Sequence, residues 1–234
     1  MTGASTNNVQ LSIIVPVLNE VNIIAPFIKM LKQKMYQPQE IIFVDGGSTD
    51  GTWEWLVKNH LKVFRTKKGR AHQMNFGSTK ASTPCLHFIH VDSHLPQYFD
   101  QHLLAAHKKG TQAGCFQLKF DSQNWLLRQA AAGSKWNHLL CRGGDQSLFI
   151  EKELFTALGG FNPEFTVCED LHLIKKIYQT TAFTVLPQKI QTSARRFYEN
   201  GILRLLLHFG VIHLLHWSGA SPRLLKHYYS WAVR

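Results

Sequence analysis

Two short apolar runs stand near the start of the chain: Leu11–Val15, broken at Pro16, and Ile41–Val44. Both are mostly β-branched or aromatic and bounded by turn residues, the pattern of strands buried on both faces. Between them, Asn22 to about Met35 spaces Ile23, Ile24, Phe27, Ile28 and Leu31 at helical intervals. Strand, helix and strand in that order predict a β–α–β unit with parallel strands and a right-handed crossover. The second strand stops at Asp45, followed by Gly46, Gly47, Ser48, Thr49, Asp50, Gly51 and Thr52. Such a cluster cannot continue a strand, and Trp53–Lys58 then has helical character.

The alternation continues downstream. Val63–Arg65 is a short strand, and a helix runs from about Ala71 to Lys80. Cys85–Val91 is a buried strand ending at Asp92, and a helix runs from Pro96 to about Lys109. Gly114–Phe120 is expected as strand, Asn124–Leu140 mainly as helix, and Gln146–Ile150 as a short strand. The helix Lys152–Leu158 stops at Gly159 and Gly160. Cys168, Glu169 and Asp170 open a helix reaching about Gln179, and Phe183–Leu186 is the last expected strand. Gly201–Trp217 is leucine-rich but carries Arg204, His208, His213 and His216. It is too short and too interrupted for a membrane span, which takes about 20 mostly apolar residues. An amphipathic segment is expected there, either packed on the core or an oligomer partner, or lying on a membrane surface. The pattern therefore predicts an α/β fold with a mostly parallel central sheet over residues 11–192. A helical extension fills 193–234, and the polar stretch 1–10 is expected to be flexible.

Hydrophobic residues make up 44% of the chain, enough for a sizeable core. Lys and Arg outnumber Asp and Glu by 26 to 15, a net charge of +11 that suits an anionic partner. A nucleotide diphosphate or an acidic membrane surface would serve. Nucleic acid is not expected, because aromatic and basic residues are not interleaved as a stacking platform requires. Cys85, Cys115, Cys141 and Cys168 are far apart with no C-x-x-C pair, which argues against a disulfide framework or a zinc ribbon. A reducing compartment is the simpler expectation. MTGASTNNVQ lacks the basic start and apolar run of a signal peptide. A cytoplasmic location is expected, with the inner face of the membrane as one place of action.

Three acids stand at a strand end or a helix start: Asp45, Asp92 and Asp170. Open α/β sheets bind ligands beyond the carboxyl ends of their strands, so parallel strands would bring Asp45 and Asp92 to one edge. Asp45 is an acceptor suited to a base N–H or a sugar hydroxyl; the alternative is a plain connection with Asp50 as a cap. Lys67, Lys68, Gly69 and Arg70 at a helix start form either an anion site or a solvated basic turn. Asp92 suits a hard divalent cation shared with substrate phosphates, or it caps the next helix. His90, Asp92 and His94 also make an H-x-D-x-H pattern of transition-metal type, but no second ligand cluster accompanies it. Asp170 is a candidate general base. Its alternative is a helix-dipole cap worth about 0.3–1 kcal/mol. That dipole alone would depress its pKa, so burial or neighbouring acids would have to offset it. Arg195 and Arg196 could hold a leaving diphosphate, or form a surface pair.

Taken together, SIIVPVLNE (Ser12–Glu20), VDGGSTDGT (Val44–Thr52), GRAHQMNFG (Gly69–Gly77), HVDSHLP (His90–Pro96), GGF (Gly159–Phe161) and CEDLHL (Cys168–Leu173) resemble inverting glycosyltransferases of family 2. GDQSLF (Gly144–Phe149), SARRF (Ser193–Phe197) and the tail Gly219–Leu225 resemble the small bacterial radical-SAM/selenodomain-associated transferase group. The resemblance implies a GT-A, Rossmann-like nucleotide-diphospho-sugar transferase fold, a nucleotide-diphosphate sugar donor, most often UDP, and a divalent cation, Mg²⁺ or Mn²⁺. It implies Pro16 and Glu20 beside the nucleoside, with Glu20 on the ribose, and Asp45 with Gly46 at the base. Asp92 would be the first acid of the D-x-D metal motif, whose third position here is His94. Arg70, Arg195 and Arg196 would meet the donor's phosphates, and Asp145, Gln146 and Glu169 an unidentified acceptor. Asp170 matches the base, which would take a proton from the acceptor hydroxyl. Two other classes share the architecture: a nucleotide-sugar-binding or regulatory protein that transfers nothing, and a nucleotidyltransferase.

Overall fold

The structure, a computed structural model, describes residues 10–233. Residues 1–9 of the polar stretch expected to be flexible lie outside the described residues. The first half alternates as expected: β1 (Leu11–Val17), α1 (Val21–Lys34), β2 (Glu40–Asp45), α2 (Thr52–Lys58), β3 (Val63–Arg65), α3 (Arg70–Lys80) and β4 (Cys85–Phe88). Then come α4 (Phe99–Lys108), β5 (Ala113–Phe120), α5 (Trp125–Gly133), β6 (Leu148–Glu151), α6 (Lys152–Ala157), α7 (Glu169–Thr180) and β7 (Phe183–Thr192). Three helices follow: α8 (Arg195–Asn200), α9 (Ile202–Trp217) and α10 (Pro222–Ala232).

The seven strands form one sheet in the order β3-β2-β1-β4-β6-β5-β7. Only β6 runs antiparallel to its neighbours, so the sheet is mostly parallel, as the apolar pattern predicts. The chain order reverses between β1 and β4, which opens a crevice at their carboxyl ends. Successive side chains on a strand point to opposite faces. Accordingly Ile13, Val15 and Phe43 pack with Phe27 and Leu31 of α1 and Leu103 of α4. Ile14, Ile42 and Val44 pack on the other face with Met74 of α3 and Leu173 and Ile177 of α7.

Pro16 does not end β1, which pairs with β2 through Pro16↔Val44 to Val17↔Asp45. Pairing with β4 stops at Ile14, so at Pro16 the strand has one partner only, and a missing N–H is tolerated there. For the same reason β4 ends at Phe88, short of the expected Val91. The helix expected over 124–140 ends at Gly133. Beyond it Arg142 ties the chain down: its buried guanidinium donates to the carbonyls of Ser134 (2.7 Å) and Trp136 (2.5 Å) and to Cys115 Sγ (2.9 Å). β7 runs well past the expected Leu186. It pairs along all of β5, with an irregularity where Phe116↔Leu186 gives way to Gln117↔Lys189. Pro187 falls in that bulge, as edge strands permit.

The C-terminal helices close over the end of the sheet. Phe197 and Leu205 pack with Phe120, Leu127 and Ala131, and Phe165, Ile212 and Leu225 form a smaller cluster. All four cysteines are free thiols.

Candidate active site

The loops after β1 and β2 are braced against each other by short polar side chains. Asn19 N–H donates to Ser48 Oγ (2.9 Å), and Thr49 N–H donates back to Asn19 Oδ1 (2.9 Å). Glu20 N–H donates to Thr52 Oγ1 (2.8 Å) and Val21 N–H to Asp50 Oδ2 (3.0 Å). Asp50 also accepts from Thr52 N–H (2.9 Å), the bond of a turn residue just before α2, whose N-cap is Gly51. Asn and Asp suit such turns because their side chains bond nearby backbone.

Asp45 anchors this double loop from beneath. Its side chain is 0% exposed; it accepts from the N–H groups of Gly47 and Ser48 and is paired with Arg65 Nε at 2.9 Å. Arg65 in turn lies over the Trp53 ring, 4.3 Å from its centroid. Asp45 thus ends β2 on the same sheet edge as the other acids, but its carboxylate is engaged below the crevice surface. Gly46 is also buried. A Cβ there would come within 3.0 Å of the Gln73 side chain, which donates to the carbonyls of Val17 and Val44 (2.8 Å each). Gln73 clamps the ends of β1 and β2. It lies inside the Gly69–Gly77 stretch but carried no expectation of its own, since only its burial among strand ends reveals the clamp. Pro16, expected at the nucleoside, is a buried residue within β1.

The other acids converge elsewhere, around Arg70 at the start of α3. Burial works against the Arg70 charge, yet Glu169, Asp170, Asp145 and Asp92 hold its pKa above the usual arginine value. Arg70 and Asp145 keep solvent-exposed surface, and Asp92 follows β4 at the crevice beside β1, so the group lines that cleft. Glu20 joins from the β1 loop: burial raises its pKa, as do Asp92 and Asp50, while Arg70 and Arg195 oppose. Asp145 is raised by burial and by Asp92, against Arg70 and Arg196. The cleft therefore gathers groups from the ends of β1 and β4, the start of α3, the 143–147 turn, the start of α7 and α8.

At the start of α7, burial raises Glu169 against the pull of Arg70. Asp170 is pushed up to about 8 by burial and by Glu169 and Asp145, with Arg70 opposing. The burial and neighbouring acids needed to offset the helix dipole are both present. The 143–147 turn presses directly on this carboxylate: a Cβ on Gly144 would collide with Asp170 Oδ2. Gln146, expected on the acceptor side, faces inward instead. It is buried, accepts from Gly143 N–H (3.0 Å) and shapes the turn that carries Asp145. Glu169 is likewise buried.

Arg195 and Arg196 sit at the start of α8. Arg195 pairs loosely with Glu199 (3.4 Å) and acts on Glu20. Arg196 donates to Tyr229 Oη (3.1 Å) and acts on Asp145 and His90. His90 lies near two of the arginines of the cleft. Burial and then Arg70 and Arg196 depress its pKa to about 3, so it is a neutral imidazole. His94 is exposed, and its backbone bridges to Gln191 (2.8 and 2.9 Å) near the end of β7. Among the described residues no three His, Cys, Asp or Glu side chains form a metal cage. A single exposed carboxylate, Asp92, beside Glu20 and Asp145 fits a hard cation whose remaining ligands are substrate oxygens and water.

A sequence profile described as glycosyl transferase family 2 matches residues 12–158, more than half of the chain. The chain belongs to glycosyltransferase family 2. No curated protein matches this family 2 sequence. Among solved structures it is similar to glucosyl-3-phosphoglycerate synthase from Mycobacterium tuberculosis, in complex with Mn²⁺, UDP and glucosyl-3-phosphoglycerate. The TM-score is 0.66 at 17% identity, covering 91% of this chain and 81% of that one. It is also similar to the mannosyltransferase PcManGT from Pyrobaculum calidifontis, in complex with GDP-Man and Mn²⁺ (TM-score 0.65, 19% identity, 98% and 72%). A third is S. aureus TarS 1-349 in complex with UDP (TM-score 0.65, 18% identity, 88% and 65%). The family 2 chain spans only 38% of a longer TarS chain. These likenesses establish the GT-A fold.

Proposed function

We propose that this protein transfers a sugar from a nucleotide-diphosphate donor, most readily a UDP-sugar, to an acceptor hydroxyl with inversion. One observation carries the proposal: Asp92, Asp145, Glu169 and Asp170, from three distant parts of the chain, all lie near enough to Arg70 to act on its charge. The solved relatives bound to UDP, to GDP-Man and to UDP with Mn²⁺ support a nucleotide-sugar donor. SARRF and the tail Gly219–Leu225 support a place beside the small radical-SAM/selenodomain-associated transferases.

In this reading the loops after β1 and β2 hold the nucleoside, with Glu20 available to the ribose hydroxyls. Asp45 and Arg65 keep the base-side loop rigid. Asp170, with its raised pKa, takes the proton of the acceptor hydroxyl as that oxygen attacks the anomeric carbon. The bond from that carbon to the diphosphate oxygen breaks in the same displacement, which inverts the centre. The transition state is oxocarbenium-like. Arg195 and Arg196 hold the departing nucleoside diphosphate by charged hydrogen bonds. A divalent cation on Asp92, when bound, would neutralise charge on the leaving diphosphate.

Thermal shift and calorimetry against UDP- and GDP-sugars, with Mg²⁺ or Mn²⁺, test the reading. One donor should stabilise the protein in a concentration-dependent way, and turnover should release nucleoside diphosphate. Absence of binding to every nucleotide sugar, or release of pyrophosphate, overturns it.

A further inference from the structure

We propose that the outward face of α9, with the exposed tryptophans of its neighbours α5 and α10, docks on an anionic lipid bilayer. The inward face of α9 is accounted for: Leu205 and Ile212 are buried against the body. The outward face should then be polar, as on any solvated surface helix. It is not. Leu203, Leu207 and Leu214 are 58% to 63% exposed, and Val211 stands between them in the same stripe. These positions recur every three or four residues and so line one side.

The flanks extend the patch. Leu127 and Ala131 of α5 pack with Leu205 of α9, so the two helices are neighbours. Trp125 at the start of α5, Trp136 just beyond it, Trp217 at the end of α9 and Trp231 on α10 are 61% to 66% exposed. Four of the six tryptophans are therefore left in water around one helix pair and its neighbour. Exposed tryptophan is costly in water but favoured at a bilayer interface, where its ring is half apolar and half polar.

Charge selects the occupant. From Ile202 to Ala232 the chain carries Arg204, Arg223 and Lys226 and no acid; from Trp125 to Trp136 it carries Arg128 and Lys135 and no acid. Two copies of this face would repel each other, whereas an anionic headgroup layer complements it. No described helix is long and apolar enough to cross a membrane, so the mode is in-plane docking. This inference does not depend on the transfer chemistry.

The test is co-sedimentation of the full chain with vesicles of phosphatidylglycerol and phosphatidylcholine, and with phosphatidylcholine alone. Binding is expected to the anionic vesicles, weaker by about tenfold or more on neutral ones and at high salt. Leu207→Glu with Leu214→Glu should weaken it by about tenfold or more while the melting temperature stays unchanged. Arg223→Glu with Lys226→Glu should weaken it on anionic vesicles only. Wild-type protein that stays in the supernatant overturns the proposal, as does a Leu207/Leu214 variant that binds like wild type. A lipid-free dimer abolished by the same leucine changes would assign the face to a second copy and also overturn it.

Discussion

Replacing Asp170 by Asn should separate stability from catalysis, in a way that depends on pH. Asp170 is held above its ordinary 3.8, at about 8, first by burial and then by Glu169 and Asp145. A carboxyl whose folded pKa is raised keeps its proton longer in the folded state than in the unfolded one. Stability is therefore lost as pH climbs from the unfolded value through the folded one, and the full penalty is present above both. At 1.36 kcal/mol per unit, the gap between 3.8 and about 8 caps that penalty at about 6 kcal/mol. Water in the open cleft screens the group, and we expect about 2 kcal/mol in practice. Asn removes the ionisation. Its melting temperature should match wild type near about pH 4 and exceed it by about 4–8 °C near about pH 9. Turnover should fall by about 10²–10⁴-fold, the usual contribution of a general base, while donor affinity is kept. Wild-type kcat/KM should rise with pH through an apparent ionisation that belongs to the Glu169–Asp170 pair. Calorimetric melting across that range, with a nucleotide-release assay, decides the matter. A stability difference that does not grow with pH, or transfer at the wild-type rate, refutes the reasoning.

Three further outcomes are expected. Asp92→Ala should weaken donor binding in Mn²⁺ by about tenfold or more, with little change when the metal is chelated, as isothermal calorimetry would measure. Gly144→Ala puts a methyl group into the Asp170 carboxylate; steady-state kinetics should show a fall in kcat of about 10²-fold. Arg142→Ala strands the carbonyls of Ser134 and Trp136 and opens a cavity, and urea denaturation should register a loss of about 2–4 kcal/mol.

β1, β2 and β4 were legible because each is a largely buried apolar run ended by turn residues. Elements governed by distant partners were not. β7 alternates buried and exposed positions along an edge, so only its first four residues look like a strand. α5 has helical spacing to Leu140 but ends at Gly133, and the segment after it is tied to the buried Arg142. In the site, the sequence singled out acids at strand ends and helix starts, and Asp92 and Asp170 lie near Arg70 while Asp45 is buried against Arg65. It could not tell that Asp45 lies beneath the crevice while Asp145 opens into it, because both stand beside glycines in polar loops. Nor could it rank His90 against His94. Both flank Asp92, and only the fold brings His90 near Arg70 and Arg196 and ties the His94 backbone to Gln191, almost a hundred residues away in the chain.

The hydrogen bond from Arg196 to Tyr229 joins the cleft to the last helix described. The bonds that brace the loops around Asp45 lie wholly within residues 19–65. In the proposed reading, a chain cut before α10 would keep those loops but lose the hydroxyl that steadies Arg196, and its grip on the leaving diphosphate would loosen.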